Sequence, residues 1–354
     1  MTANEPIKVM PAVLQAYIAE ILAVHGLPAA DAREVAELMC EADLLGGDGH
    51  GVFRLPRYVD RLRAGGFNAR PDIKVDRRKG AMARIDGDNA MGHLVVRRCV
   101  DEAIRLAGEH GVGWVGTHHS NHAGSAGTYA LMPARRDMIG IYLAVGNANH
   151  MAPWGGVDLL LSTNPIAIGV PGASGPILLD MATTVAAYGK VKLAAQRGET
   201  MPEGWMIDGE GNPLTDPTRA GGGSLLPIGG PKGFGLSLMI GLLAGTLNSA
   251  ACGSDVIDFN KDDTSATNTG QMIIVADVAA FTDLAVFKAQ VDHIAGEIRA
   301  SRRRPGFDEI RLPGDRALAT REKRLAGGIP IPPALLAALR PVSEAAGVRP
   351  LDDR

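Results

Sequence analysis

The sequence predicts an α/β protein with helical segments at both ends. Three observations carry that reading. Apolar residues recur at helical spacing before residue 66, strand-like runs alternate with helical patterns from about residue 80, and helical spacing returns after residue 328. Composition agrees: 354 residues with 46% hydrophobic content can bury one large or two modest cores.

Leu14, Ile18, Ile21 and Leu22 share one face of a first helix, and beyond the break at Gly26-Leu27-Pro28 the positions Val35, Leu38, Met39 and Ala42 define a second. The loop GGDGHG at 46–51 then opens a third helix through Val52, Leu55, Val59 and Leu62, which stops at Gly65-Gly66. Pro56 fits only near that helix's first turn, where its missing N–H has no intrahelical partner to lose. Strands are expected over 81–85, 112–117, 139–145, 165–171, 176–181 and 271–277, with helices over 93–109, 124–136, 233–247 and 283–301. Glycines and prolines from 197 to 231 predict a long irregular excursion with a turn at IDGEGNP. After a Pro- and Arg-rich connector, IPPALLAALRPVSEAAG returns to helix and is expected to pack on the N-terminal helices.

A net charge of -3 with interspersed signs argues against a nucleic-acid or anionic-membrane surface and for a small-molecule partner. Cys40, Cys99 and Cys252 are odd in number and sit in apolar patterns, which suits buried thiols in a reducing, cytoplasmic compartment. The N-terminal stretch lacks the basic region of a secretory signal, and no apolar run has the length of a membrane span.

Four segments carry chemistry-bearing residues. In the first, His50 and Arg54 lie near a helix start; imidazole titrates nearest neutral pH and suits a proton donor to a carbonyl, while a guanidinium holds a carboxylate through two parallel hydrogen bonds. A glycine-rich turn with a solvated histidine is the bland alternative. In the second, HHSNHAG places His118, His119 and His122 between a strand and a helix; they line a ligand crevice, cap backbone groups, or hold a metal, although no HExxH helix or cysteine partner accompanies them and no metal is assigned. His122 is the one expected to line a site. The third, GGPKGFG at 229–235, sets glycines and Lys232 at a helix start, a cradle for phosphate or simply a tightly packed loop, and it matches neither the P-loop nor the GxGxxG pattern. In the fourth, Asp180 stands at a strand exit before Met181-Ala182-Thr183-Thr184, where it either orients an imidazole or caps a helix.

Taken with GNANHMAPWGG, STNPIAIGVP and RRPGFDEIRLPGD, these segments in their order resemble the type-2 malate/L-lactate dehydrogenase family, whose members include sulfolactate, ureidoglycolate and 2,3-diketogulonate enzymes and cyclic-imine reductases. The resemblance runs over nearly the whole chain. It implies a non-Rossmann, mixed-sheet α/β cofactor domain at 79–317 beside a helical substrate and dimerisation domain formed by 1–78 and 318–354. It also implies a homodimer using NAD or NADP. Carried onto matching positions, His50 resembles the proton donor and acceptor, a role described for the position of His122 in some members, and Arg54 resembles the carboxylate-binding residue. Asp180, Met181, Ala182, Thr183, Thr184, Pro231, Lys232, Gly314, Asp315 and Arg316 resemble the cofactor contacts, joined by His122 in the same crevice. The chain departs from the family where Gly49 replaces a common Ser, Phe234 a frequent Tyr, and Gly241 a common Glu.

The activity expected is hydride transfer between nicotinamide and a small 2-oxo or 2-hydroxy acid of malate or lactate type. Reduction of a cyclic imine such as piperideine- or pyrroline-2-carboxylate is the close alternative. A non-catalytic metal- or ligand-binding protein is the distant one.

Overall fold

In the computed structural model, which describes residues 5–354 apart from the side chains of Leu193 and Gln196, twelve strands and ten α-helices are present among the described residues. In chain order the first half runs β1 (Ile7–Val9), α1 (Pro11–Val24), α2 (Ala29–Leu44), α3 (Leu55–Ala64), β2 (Lys74–Lys79), β3 (Met82–Asp86), α4 (Gly92–His110), β4 (Val112–Ser120), α5 (Ala126–Ala134), β5 (Met138–Ala144), β6 (Ile166–Val170) and β7 (Ile177–Met181). There follow α6 (Tyr188–Arg197), β8 (Met206–Ile207), β9 (Pro213–Leu214), β10 (Ser224–Leu225), α7 (Pro231–Ile240), β11 (Thr269–Asp277), α8 (Leu284–Ala300), α9 (Asp315–Gly327), β12 (Ile329–Ile331) and α10 (Pro333–Ala346).

Seven strands form one mixed sheet in the order β2-β3-β4-β11-β5-β6-β7. Only β3 and β4 run parallel; their neighbours pair antiparallel, so the sheet is not the parallel doubly wound type. Helix α4 packs on β4 and β11, and α5 on β5, β6 and β7. Alternating strand residues such as Ile85, Val115, Tyr142, Ile273 and Val275 meet Val95, Cys99, Ala103 and Ala130 of those helices in one core. The opposite face offers Leu143, Val145 and Met272 to Ile240 and Ala244 of α7 and the π-helical turn that continues it. In that turn a Cβ at Gly241 would lie 3.0 Å from the Cys252 sulfur, so the common Glu could stand there only if its neighbours gave way.

A separate helical core joins the two chain ends. Leu14, Tyr17, Ile18, Val35, Met39, Leu55 and Tyr58 pack with Ile329, Ile331, Leu339 and Leu351. Strand β1 pairs antiparallel with β12, Ile7 opposite Ile331, and the Tyr17 hydroxyl lies 2.8 Å from Ser343 Oγ.

The predicted strands and the four interior helices form at or within a few residues of their expected spans. Four features depart from expectation. Strand β2 (KVDRRK) is exposed at every position, a charged edge strand with no alternation to betray it. A short strand, Ile329–Ile331, precedes the predicted C-terminal helix and takes its first expected residue, Ile331. Helix α6 leads into the excursion, which itself contains a small three-stranded sheet, β10-β8-β9, whose turn falls at the predicted IDGEGNP. The connector contains α9, which has no buried residue and is anchored by ion pairs of Arg321 to Glu41 and Arg324 to Asp48.

Candidate active site

The loop at 46–51 is built around a buried carboxylate. Asp43, 2% exposed in the last turn of α2, accepts the Val52 N–H at 2.8 Å. A Cβ on Gly51 would fall 2.0 Å from the Asp43 carboxylate, so only glycine lets the chain cross there. Burial, helped by the Asp48 charge, pushes the Asp43 carboxyl up to about 8. Arg324 reaches from α9 to hold both the Asp43 carbonyl and the Asp48 carboxylate, which fixes the loop from outside.

This loop presents His50 to His122. Their rings stack with centroids 5.6 Å apart and planes 16° from parallel. His122 follows β4 in a segment held by Asn121, whose amide donates to Asn89 Oδ1 and the Ala90 carbonyl at 2.9 Å and accepts from Thr267. Tyr58 of α3 lies beneath, its hydroxyl 2.6 Å from His122 Nδ1, its ring edge-on to His93 of α4 at 5.4 Å. His50 retains partial access to solvent although protein surrounds it closely, the combination found in a cleft. Burial, reinforced by the Arg54 charge, depresses His50 to about 4; burial likewise depresses His93 to about 3, and His122 is pushed well down. All three imidazoles are therefore neutral at pH 7 in the free protein.

Arg54 follows in the 3-10 turn that precedes α3. Its Nε donates to the Gly49 carbonyl at 2.9 Å and one terminal nitrogen to Asn260 Oδ1 at 3.2 Å. No carboxylate pairs with it among the described residues, so part of the guanidinium remains able to bind an anion.

Asn260 belongs to a segment that the local sequence does not flag. Residues 258–265 are held to α3 by Arg57, which donates to the Phe259 carbonyl and pairs with Asp263, and by the fully buried Arg61. Arg61 donates to the carbonyls of Gly66, Asp262 and Ser265 and lies over the Phe259 ring at 4.9 Å. Phe259 in turn packs on His122 at 5.4 Å. Two arginines one helical turn apart facing the acidic run DFNKDD are the only signal, and pairing them across about 200 positions needs the fold.

Asp180 does not reach an imidazole. Its carboxylate accepts Ser125 Oγ at 3.2 Å and the Gly127 N–H at 2.9 Å, which caps α5 from another strand. Water reaches it from a crevice, while the dense protein on its other sides raises its pKa. That crevice, about 490 Å³, is lined among others by Gly46, Gly47, Ser125, Asp180, Gly314 and Arg316. It thus joins the back of the 46–51 loop to Asp180 and to the start of α9. Gly314 sits at φ +88° against Leu178, and Arg316 has no carboxylate partner among the described residues. Asp315 is engaged otherwise: burial pushes its pKa up but is outweighed by Arg299 at 2.8 Å and the Leu312 N–H, and the result is lowered.

Met181 and Ala182 are half-buried and lead the chain from Asp180 to the two threonines. Thr183 and Thr184 bring the third and fourth segments together. Thr183 accepts the Ile228 N–H on its carbonyl at 2.9 Å, and Thr184 bridges to Pro227, so the GGPKG turn lies beside the β7 exit. Gly229 and Gly230 are both left-handed, Pro231 occupies the first turn of α7, and the side chain of Lys232 is exposed. Helix geometry leaves the N–H groups of Lys232 and Gly233 without intrahelical partners. His118 and His119 stand apart, each at 3.0 Å from a carboxylate, Asp76 and Asp86. Asp86, His118 and His119 could approach one cation, their ligand atoms lying within 4.8 Å of one another, but each histidine already has an ionic partner, and Arg84 occupies Asp76. A larger depression, about 860 Å³, lies on the outer face of α1; its Glu20 and Arg354 are paired with each other, and it lies in the helical core's outer wall, away from these groups.

Comparison with known proteins gives a consistent set of matches. A family profile described as malate/L-lactate dehydrogenase matches residues 9–340. Malate dehydrogenase from Pyrococcus horikoshii is 39% identical over 346 residues, 96% of this chain and 95% of that protein. Its solved structure superposes with a TM-score of 0.90 over 99% of this chain and 98% of that one, at 36% identity. L-sulfolactate dehydrogenase from Methanothermobacter thermautotrophicus is 40% identical over 319 residues, covering 90% and 91% of the two chains. The structure of delta1-piperideine-2-carboxylate reductase from Pseudomonas syringae pvar. tomato superposes with a TM-score of 0.83 at 30% identity, over 95% and 99%.

Proposed function

Because this chain belongs to the malate/L-lactate dehydrogenase family and is an oxidoreductase of that kind, we propose that it exchanges a hydride between a nicotinamide dinucleotide and C2 of a small 2-hydroxy or 2-oxo acid at the His50–Arg54–His122 cluster. The observation that carries the assignment is a guanidinium without a carboxylate partner beside two neutral, stacked imidazoles. In the direction of oxidation Arg54 holds the substrate carboxylate and His50 takes the hydroxyl proton as the C2 hydride leaves. In reduction the proton returns from His50 to the carbonyl oxygen. His122 lies across from His50, where a neutral N–H stabilises the oxygen as its charge develops.

The donor set fits a dinucleotide. Arg316, Lys232 and the free N–H groups at the start of α7 suit phosphates, and the left-handed Gly229 leaves open space for close approach, whereas Gly230 packs against the Trp154 ring. The crevice floored by Asp180, continued by Met181 to Thr184 and bordered by Pro231 and Gly314 to Arg316, is our candidate for the cofactor site. The bound nicotinamide would supply or accept the hydride. Relatives carry names with NAD(+) and with NADP(+), and both remain within this reading.

We assign the helical substrate unit to 1–78 plus 318–354 and the cofactor unit to 79–317, in line with the two cores described above. Exposed Leu236, Met239, Leu242 and Leu247 on α7 and the turns after it support a homodimer. Buried, unpaired Cys40 and Cys99 suit a cytoplasmic enzyme, and no helix of the described residues is long and apolar enough to cross a membrane.

Oxidation or formation of NADH and NADPH, followed by absorbance across malate, lactate, sulfolactate, their oxo acids and cyclic imines, tests the reading. Turnover of a 2-hydroxy acid is expected. A second reading, cyclic-imine reduction, is favoured by the likeness to the piperideine-2-carboxylate enzyme, and turnover confined to imines would establish it in place of the first. Silence across the panel refutes both.

A further inference from the structure

Resting on the assignment of the reaction to this cluster, we propose that Tyr58 is a positioning residue that locks His122 as the tautomer protonated on Nε2, so that His122 is a fixed hydrogen-bond donor and His50 alone carries the proton of the reaction. The sequence leaves the proton-carrying role open between the two histidines, since the resemblance allows it to either position. Their hydrogen-bond environments distinguish them.

Two donors converge on His122 Nδ1. The Tyr58 hydroxyl lies at 2.6 Å and the Gly124 N–H at 3.4 Å. A backbone N–H can only donate, so it sets the sense of the contact, with Nδ1 as acceptor and the ring proton on Nε2; at 3.4 Å it is too long to hold the ring by itself, and the short Tyr58 contact supplies the hold. The Tyr58 hydroxyl has no other protein partner among the described residues, which leaves it free to donate. His50 is the reverse case. Its Nδ1 is sealed from solvent with no partner among the described residues, so no neighbour fixes its tautomer. Among the described residues, Nε2 of both rings has no protein partner and is not sealed off.

The surroundings of His122 keep it neutral. Tyr58 from α3, His93 from α4, His50 from the 46–51 loop and Arg54 from the 3-10 turn are the titratable or charged groups that face it, and Phe259 closes the remaining side. None is an anion; Arg54 is a cation, and a second positive charge on His122 would be repelled. Tyr58 is itself braced edge-on by His93 and Phe259, so its hydroxyl is aimed by packing. The consequence is a division of labour: a neutral imidazole with a fixed N–H that polarises the substrate oxygen, beside one that is free to gain and lose a proton.

The test uses full-length protein with nitrogen-15 in its histidine rings. The His122 signals are assigned by their loss in His122→Gln, and ring coupling patterns are recorded between about pH 5.5 and 8.5 with and without cofactor. The expected result is a single Nε2-protonated, neutral pattern for His122 that does not titrate. In Tyr58→Phe, folded by circular dichroism, the pattern should broaden to mixed tautomers. Turnover should then fall about tenfold to a hundredfold with the KM for cofactor unchanged. Protonation of His122 on Nδ1 in the unaltered protein, titration of His122 in this range, or a Tyr58→Phe protein with the parent's ring pattern and turnover would each overturn the proposal. The ring pattern is read without turnover, so a silent substrate panel would defeat the functional reading while leaving the tautomer to be decided on its own signals.

Discussion

Replacing Asp43 by asparagine should stabilise the protein at neutral pH and do so more as the pH rises. The carboxyl is buried and held at about 8 in the fold against 3.8 in an exposed chain. Below 3.8 both states are protonated and the group has no effect on stability. Above it the unfolded chain releases a proton that the folded protein keeps, so stability is lost steadily until the pH reaches about 8. At about 1.4 kcal/mol per pH unit, the loss at pH 7 is of the order of 4 kcal/mol. The asparagine amide would still accept the Val52 N–H through its carbonyl oxygen and carries no proton to lose. With an unfolding entropy of about 2 cal/mol/K per residue over 354 residues, that difference is roughly 6 °C in the thermal midpoint. Thermal unfolding of the two proteins from about pH 4.5 to 8.5 measures it: the midpoint of Asp43→Asn should draw ahead of the parent's as the pH rises. A gap that stays constant, or one that closes toward high pH, would mean the carboxylate is ionised inside the fold with Arg324 as its partner, and the reasoning about the loop's anchor would fall.

Three further outcomes follow from the site. Gly51→Ala drives a methyl into the Asp43 carboxylate; kcat/KM should fall by about two orders of magnitude with the circular dichroism of the protein retained, and an active Ala variant would contradict the crossing described above. Arg54→Ala should raise the KM for the acid by about tenfold to a hundredfold, and an unchanged KM would remove Arg54 from carboxylate binding. For oxidation of a 2-hydroxy acid, kcat/KM needs neutral His50, depressed to about 4 by burial and Arg54. The profile should therefore be flat through neutral pH and fall only as the pH approaches about 4 to 5; an acid limb centred near the ordinary histidine value that persists in every His50 variant retaining activity would show that another group is the base, and one that vanishes with His50 would show that its pKa is not depressed.

Periodicity made most of this fold legible, because the main sheet and the helices packed on it bury alternating or helically spaced apolar side chains. What stayed hidden lacks that signature. Strand β2 is charged throughout its exposed length save for Val75, α9 buries no residue fully and leans on the cores only through half-buried Ala317, Leu318 and Leu325, and β1 and β12 are three-residue strands recognisable only once paired. The site divides the same way. His50, Arg54 and His122 could be singled out by residue type and local glycine context. Tyr58 stood in the same segment without a role, and His93 and the 258–265 segment could not be singled out, since a core tyrosine, a helix histidine and an acidic loop acquire meaning only from what they touch. Asp180 was recognisable as a polar group at a strand exit, but its capping of α5 joins two positions 53 residues apart.

The pairing of β1 with β12 has a consequence for biosynthesis. As the chain leaves the ribosome, the large sheet and its two covering helices can assemble from contiguous material, whereas the platform under His50 lacks Leu339 and Leu351 until the final stretch emerges. The sheet side can thus form from neighbouring material, while the floor beneath His50 waits on a far longer closure, that of Ile7 upon Ile331. Whatever chemistry that floor supports is coupled to the slowest kind of contact a chain can make.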